Sequence, residues 1–211
     1  MSDTKLLLKA AVFAAEKHRD QRRDGPEKIP YINHPLGVAN NIVTIGEVND
    51  VAVLQAALLH DTVEDTSTTL AELEDIFGAE VMSLVRDVTD DKSLPAYQRK
   101  LDQISHSPHI AHKAKIVKLS DKLYNLRDLL SSPLESWGAE RIQGYFVWSW
   151  FVVKGLRGTN VQLEAELDRV FASDFVLNGV KYACIPVPLT DDVQMQARLD
   201  AFIALKRGAT C

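Results

Sequence analysis

At 211 residues the chain has the size of a single domain and is long enough to bury a sizeable core. Its composition, 46% hydrophobic and 25% charged, is that of a globular protein. A net charge of −5 argues against a nucleic-acid partner held by phosphate neutralisation, so an anionic ligand must be met by a local cluster of cations. Cys184 and Cys211 lie outside any paired spacing, which excludes a disulfide framework and a thiolate metal site and fits a reducing, cytoplasmic setting. Lys9 interrupts the N-terminal leucines, so no signal peptide is expected. The apolar run "YFVWSWFVV" is far short of the ~20 residues of a membrane span, and no membrane partner is expected.

Helical periodicity dominates. Leu8, Ala11, Val12 and Ala15 share a face and predict a first helix running to His18 with a basic end. The glycine and prolines of "DGPEKIP" break it into a loop. "HPLGVANNIVTIG" predicts a second helix with Pro35 in its first turn. Asn49 is the expected cap of a third, whose stripe of Leu54, Ala57 and Leu58 brings His60 and Asp61 to its end. Thr69 and Glu72 form a capping-box pair for a fourth helix ending near Gly78, and a fifth spans Ala79 to about Val88.

Ile116, Leu119, Leu123, Leu126 and Leu130 form the core stripe of a long helix. Asp121, Tyr124, Asn125 and Asp128 fall on its other side, facing water or a cleft. An aromatic-rich helix follows, with Gly158 as its expected end, and Thr159 with Gln162 as the capping box of the next. Beyond Phe171, Asn178-Gly179 predicts a tight hairpin turn. A last helix has acids in its first turn and Lys206 and Arg207 in its last. The parallel-sheet pattern is absent; the expectation is an all-α bundle with a small hairpin-plus-helix appendix.

"LLHDTVED", residues 58–65, places a histidine and three carboxylates at the end of an apolar segment, a charge that solvent, basic side chains or a metal ion must offset. Imidazole nitrogen and carboxylate oxygen are ligands for first-row divalent metals, and His34 and Asp121 would complete a set with His60 and Asp61 drawn from three helices. Each residue alone has an ordinary alternative: a helix-start histidine before proline, or a solvated aspartate on a polar face. Glu64 and Asp65, three and four positions after Asp61, point to the same region.

"HP" at 34–35, "LLHDTVEDT" at 58–66, "VTDDKSLP" at 88–95 and "VKLSDKLYNLRDL" at 117–129, with "ERIQGYF" and "VVKGLRGTN" further on, closely resemble the HD-domain alarmone hydrolases. That family includes the hydrolase half of bacterial Rel/Spo enzymes and, closer still, the stand-alone metazoan SpoT homologues. The resemblance covers residues 1–173 and implies an HD-type hydrolase domain there, with 174–211 as an extension outside it. It implies one Mn²⁺, with zinc or iron also accepted by such donors, on His34, His60, Asp61 and Asp121. The implied reaction is hydrolysis of the 3′-diphosphate of guanosine tetra- or pentaphosphate, releasing pyrophosphate and GDP or GTP. Glu64 is then the expected base for water, and Asp65 assists it or protonates the leaving group.

Arg22, Arg23, Lys92 and Arg141 are the cations expected near the phosphates, Arg22 being equally a solvated helix end. By resemblance Arg23 packs against the base, and Asn125 and Tyr145 line the nucleotide pocket. Asp24 departs from the family, which commonly has lysine there, and removes a cation beside the nucleotide. The expectation for this chain is a hydrolase without the synthetase and regulatory domains of bifunctional relatives. Metazoan members are also associated with removing the 2′-phosphate of NADPH, an alternative using the same metal and water. A non-catalytic nucleotide sensor would be expected to lack a ligand or the "ED" pair. The extension serves simple packing or, alternatively, homo-oligomer formation.

Overall fold

The structure, a computed structural model, describes residues 2–25 and 27–208, so Cys211 lies outside the described residues. In chain order the helices are α1 (Asp3–Lys17), α2 (Asn33–Thr44), α3 (Val51–Leu59), the single turn α4 (Thr62–Asp65), α5 (Leu70–Phe77), α6 (Ala79–Val88), α7 (Ala96–His106) and α8 (His112–Ser131). A 3₁₀ turn (Glu135–Trp137) leads into α9 (Gly138–Lys154) and α10 (Val161–Phe171), then the strands β1 (Asp174–Leu177) and β2 (Val180–Ala183) and finally α11 (Asp192–Gly208). The all-α bundle with a hairpin and helix is the expected architecture.

α3 is the centre of the bundle. Every residue from Val53 to Leu59 is buried, including Gln55, and the helix packs against α1, α2, α6 and α8. A helix apolar on all sides must be surrounded, and its last turn therefore delivers His60 into the interior. α8 is buried on both sides: Ile116, Leu119, Leu123 and Leu126 form the expected stripe, while Lys118, Ser120, Asp121 and Lys122 are buried opposite. The side away from the stripe thus faces a cleft. Leu129 rather than Leu130 is the fully buried leucine at its end.

Several local expectations shift by a residue or a face. α1 buries Ala10 and Ala14, and Leu8 and Val12 are 61% and 56% exposed. Two alanines let α1 approach α3 closely, an advantage that outweighs hiding the bulkier residues. The cap of α3 is Asp50, not Asn49; its carboxylate accepts from the amides of Ala52 (2.9 Å) and Val53 (3.2 Å). Thr69 accepts from the Glu72 amide at 3.1 Å, but the Glu72 side chain turns to Lys17 at 2.9 Å instead of closing the box.

α9 stops at Lys154, before Gly155, and Gly158 falls in the following turn. α10 is capped by Asn160 instead of Thr159: Asn160 Oδ1 accepts from the Leu163 amide at 3.0 Å. Glu164, not Gln162, reaches back to the amides of Thr159 (2.8 Å) and Asn160 (3.0 Å). α7 has no fully buried residue, yet Tyr97, Leu101 and Ile104, spaced 4 and 3 along it, pack half-buried against the core, a stripe that the sequence reading did not pick up.

The hairpin turns at Asn178 (φ 50°) and Gly179 (φ 77°), the paired left-handed conformation of a type I′ turn, with Leu177 opposite Val180. α11 buries Met195, Leu199, Phe202 and Ile203 against α9 and α7. Among the described residues no helix is long and apolar enough to cross a membrane.

Candidate metal centre and active-site pocket

The chain leaves α3 at His60 and re-forms a helix at Thr62, and this break aims two consecutive side chains at one point. His60 Nδ1 lies 2.8 Å from the carbonyl oxygen of Ala57; a proton shared there leaves Nε2 with its lone pair free. His34, in the first turn of α2, brings its own Nε2 to 3.1 Å from that atom. Asp61 Oδ2 is 3.0 Å from His60 Nε2 and 3.3 Å from His34 Nε2. Asp121 Oδ1 is 3.3 Å from His34 Nε2 and 3.7 Å from His60 Nε2. The ligand atoms of His34, His60 and Asp121 all lie within 4.8 Å of one another. Tyr31 Oη donates to Asp61 Oδ2 (2.7 Å) and Asn125 Nδ2 donates to Asp121 Oδ1 (2.6 Å), holding both carboxylates in place.

Two imidazole nitrogens face to face between two carboxylates require a positive charge. Burial opposes charging His60, yet Asp61, with hydrogen bonds to Asp121 and Asp61, holds it well above the usual imidazole range. Burial likewise pushes Asp61 and Asp121 up, and the charges of His60 and Lys122 respectively, with the imidazole hydrogen bonds, bring them well below the usual carboxylate range. The group therefore favours a cation, and two nitrogens with two oxygens fit a first-row divalent metal.

Glu64 and Asp65 stand beside this group on α4 in different surroundings. Glu64 Oε2 accepts from the Asp90 amide at 3.1 Å, and burial followed by the Asp90 charge pushes its carboxyl above the usual range. Asp65 accepts from Lys92 Nζ (2.6 Å) and Gln21 Nε2 (3.0 Å).

The candidate metal group opens into a pocket of about 270 Å³, which adjoins a second of about 460 Å³; Tyr31, Asn125 and Tyr145 line both. Arg23 belongs to the second pocket, donating to Asn125 Oδ1 (3.0 Å) and Asp128 Oδ2 (2.7 Å) between the rings of Tyr31 and Tyr124. Asp24 lines it too. Arg22 is not a helix end: it lies in the loop beyond α1, paired with Pro30 in an isolated bridge, donates to the carbonyls of Arg19 and Gln21 and lines the second pocket. Arg141 reaches neither pocket: its guanidinium stacks on Trp137, 4.3 Å from the ring centre, and lines a separate surface hollow.

Arg99 and Lys100 from α7, Lys118 and Lys122 from α8, and Lys206 from α11 line the first pocket. Lys100 and Lys122 sit over the Trp148 ring at 3.9 and 4.4 Å. Burial and then the Lys122 charge push the Lys100 ammonium down to about 7. Sequence reasoning missed these cations and Tyr31. The i,i+4 spacing of Lys118 and Lys122 beside Asp121 was the one usable signal, since Lys100 and Lys206 reach the pocket only through tertiary packing.

Residues 10–143 match the HD domain family, and the chain belongs to it. HD domains bind a divalent metal, and His34, His60 and Asp121 can hold one here. The chain is 60% identical over 170 residues to guanosine-3′,5′-bis(diphosphate) 3′-pyrophosphohydrolase MESH1 of Xenopus tropicalis, covering 81% of this chain and 95% of the relative. The Homo sapiens protein of that name is 57% identical over the same shares. A solved structure described as a metazoan ortholog of SpoT that hydrolyzes ppGpp matches with a TM-score of 0.77 at 46% identity, covering 79% of this chain and 93% of that one.

Proposed function

We infer that this protein hydrolyses guanosine 3′,5′-bis(diphosphate) and its pentaphosphate at the 3′-diphosphate, releasing pyrophosphate and GDP or GTP. The observation that carries this reading is the convergence of His34, His60, Asp61 and Asp121 next to Glu64, Asp65 and a lysine-lined pocket, in a chain so similar to enzymes named for that reaction.

His34, His60, Asp61 and Asp121 would hold the metal, which we assign as Mn²⁺. When bound, such an ion lowers the pKa of water and neutralises charge developing on the phosphoryl group. Glu64 is the base. Its Oε2 accepts from the Asp90 amide and its Oε1, 4.0 Å from the Arg99 guanidinium, is the oxygen to take the proton of the attacking water; its raised pKa brings it closer to working pH. The water oxygen bonds to the phosphorus next to the ribose, and the bond from that phosphorus to the ribose 3′ oxygen breaks. Asp65, oriented by Lys92 and Gln21, assists at the departing oxygen.

Lys118, Lys122 and Lys100 face the diphosphate. Arg23 packs against the base in the second pocket, with Asn125 and Tyr145 where the two pockets join. A reducing, cytoplasmic setting accords with the buried thiol of Cys184. The complete ligand set and the "ED" pair speak against a non-catalytic sensor, and no relative named here supports NADPH as the substrate.

Pyrophosphate release from guanosine 3′,5′-bis(diphosphate), measured with Mn²⁺ or EDTA and with NADPH in parallel, tests the assignment. Metal-dependent release from the guanosine nucleotide is expected. Turnover confined to NADPH, or of neither, would overturn it.

A further inference from the structure

We propose that α11 forms one wall of the active-site pocket and that Lys206 binds the diphosphate of the substrate. This rests on the hydrolase reading above, and it gives the extension beyond residue 173 a part in substrate binding. The resemblance read from the sequence covers residues 1–173, and it assigned no role to Lys206.

The placement of Lys206 is determined by packing. Phe202, one helical turn earlier, is buried, with its ring centre 6.4 Å from that of Trp148 and 6.5 Å from that of Tyr145. It fills the space left by Gly144 on α9, where an added Cβ would meet Phe202 Cδ2 at 2.6 Å. The same Trp148 ring carries Lys100 and Lys122. α11 is therefore locked to the indole that supports Lys100 and Lys122, and Lys206 lines both the first pocket and the neighbouring hollow of Arg141 and Trp137. Its Nζ lies 5.5 Å from the ring centres of both Trp137 and Phe202.

Charge supports the assignment. Burial holds the Lys206 ammonium below the usual lysine range, and the charged groups acting on it, Arg141 and Arg99, are both cations. Lys206 in turn disfavours the charge on Lys100. Asp121 holds Lys122 and Asp90 acts on Lys100, whereas the charged groups acting on Lys206 include no carboxylate; a multiply charged anion such as a diphosphate would supply that partner. The ordinary alternative is that Lys206 only complements the C-terminal dipole of α11. Arg207 shares that last turn but lies over Tyr97, 4.8 Å from the ring centre, and so serves as the control.

The test is calorimetric titration of inorganic pyrophosphate into the metal-loaded full chain, as wild type, Lys206→Gln, Lys206→Arg and Arg207→Gln, with Tm and kinetics on guanosine 3′,5′-bis(diphosphate) for each. Losing one charge-assisted contact should weaken pyrophosphate about tenfold in Lys206→Gln and raise KM similarly, with no loss of Tm. Lys206→Arg should retain most of the affinity, and Arg207→Gln all of it. Wild-type affinity in Lys206→Gln, or an equal loss in Arg207→Gln, would overturn the proposal. If the wild type does not turn over the nucleotide while pyrophosphate affinity still depends on Lys206, the substrate reading fails and the anion site stands.

Discussion

The Nε2 atoms of His34 and His60 face each other at 3.1 Å, between one carboxylate oxygen of Asp61 and one of Asp121. Two nitrogen lone pairs do not share that space without a proton or a metal ion between them. A metal ion binds the folded chain only, so it should stabilise it by about 2.7 kcal/mol at free metal a hundredfold above Kd. For a chain of this size that raises Tm by about 5–10 °C, and thermal denaturation with Mn²⁺ or EDTA measures it. Asp121→Ala should lose bound metal and lower kcat/KM by about a thousandfold. An unchanged Tm on chelation, together with retained metal content in Asp121→Ala, would contradict the four-ligand assignment.

Tyr31 positions Asp61 through a 2.7 Å hydrogen bond. Tyr31→Phe keeps the ring and removes the donor, so the fold should persist while metal affinity falls about 10- to 100-fold. A metal titration of activity should show a displaced midpoint and recovery at saturation. An undisplaced midpoint would mean that the hydroxyl does nothing for the metal site.

Glu64 is raised by burial and then by the charge of Asp90. A base works only when deprotonated, so activity should fall on acidification at a pH above the usual carboxylate range. Asp90→Asn keeps the backbone amide that binds Glu64 and removes the repelling charge, which should move the acid limb of kcat/KM to lower pH. The metal is the same in both proteins, so the difference isolates Asp90. Superimposable limbs would remove Asp90 as a cause.

Lys100 has an ammonium pushed down to about 7, whereas in the unfolded chain it titrates near 10.4. Between those values the unfolded state holds more protons, so stability rises with pH across that window; below about pH 7 the folded chain bears the full cost of the charge. Lys100→Met should therefore stabilise the ligand-free protein by about 1–3 kcal/mol at pH 6, by less at pH 10, and weaken pyrophosphate binding. Denaturant unfolding at both pH values checks this. A loss of stability at pH 6 would show that Lys100 is not under strain.

Much of the candidate site was legible before any fold was known. His60 and Asp61 follow an apolar run, so the helix that carries them had to be buried, and burying a carboxylate demands a counter-charge. The bounds Ala79–Val88 and the Asn178-Gly179 turn follow equally from residues next to one another in the chain. Capping was less secure: at Asp50 and Asn160 the neighbouring residue was an equally good cap, and choosing between them takes the actual path of the backbone.

The sequence by itself determined that this chain is a helical bundle, and its motifs supplied the candidate ligands His34, His60, Asp61 and Asp121 and the adjacent Glu64 and Asp65, because periodicity and residue chemistry are local. Only the tertiary structure decided that α1 turns its alanines inward, that Asp121 faces a cleft and that Arg141 stacks on Trp137 instead of reaching the substrate pocket. It also decided that Lys100 of α7 and Lys122 of α8 meet over one indole and that Lys206 of α11 lines the same pocket. Periodicity describes the two sides of a helix and says nothing of what packs on each. A cluster of cations far apart in the chain exists only once those sides have met.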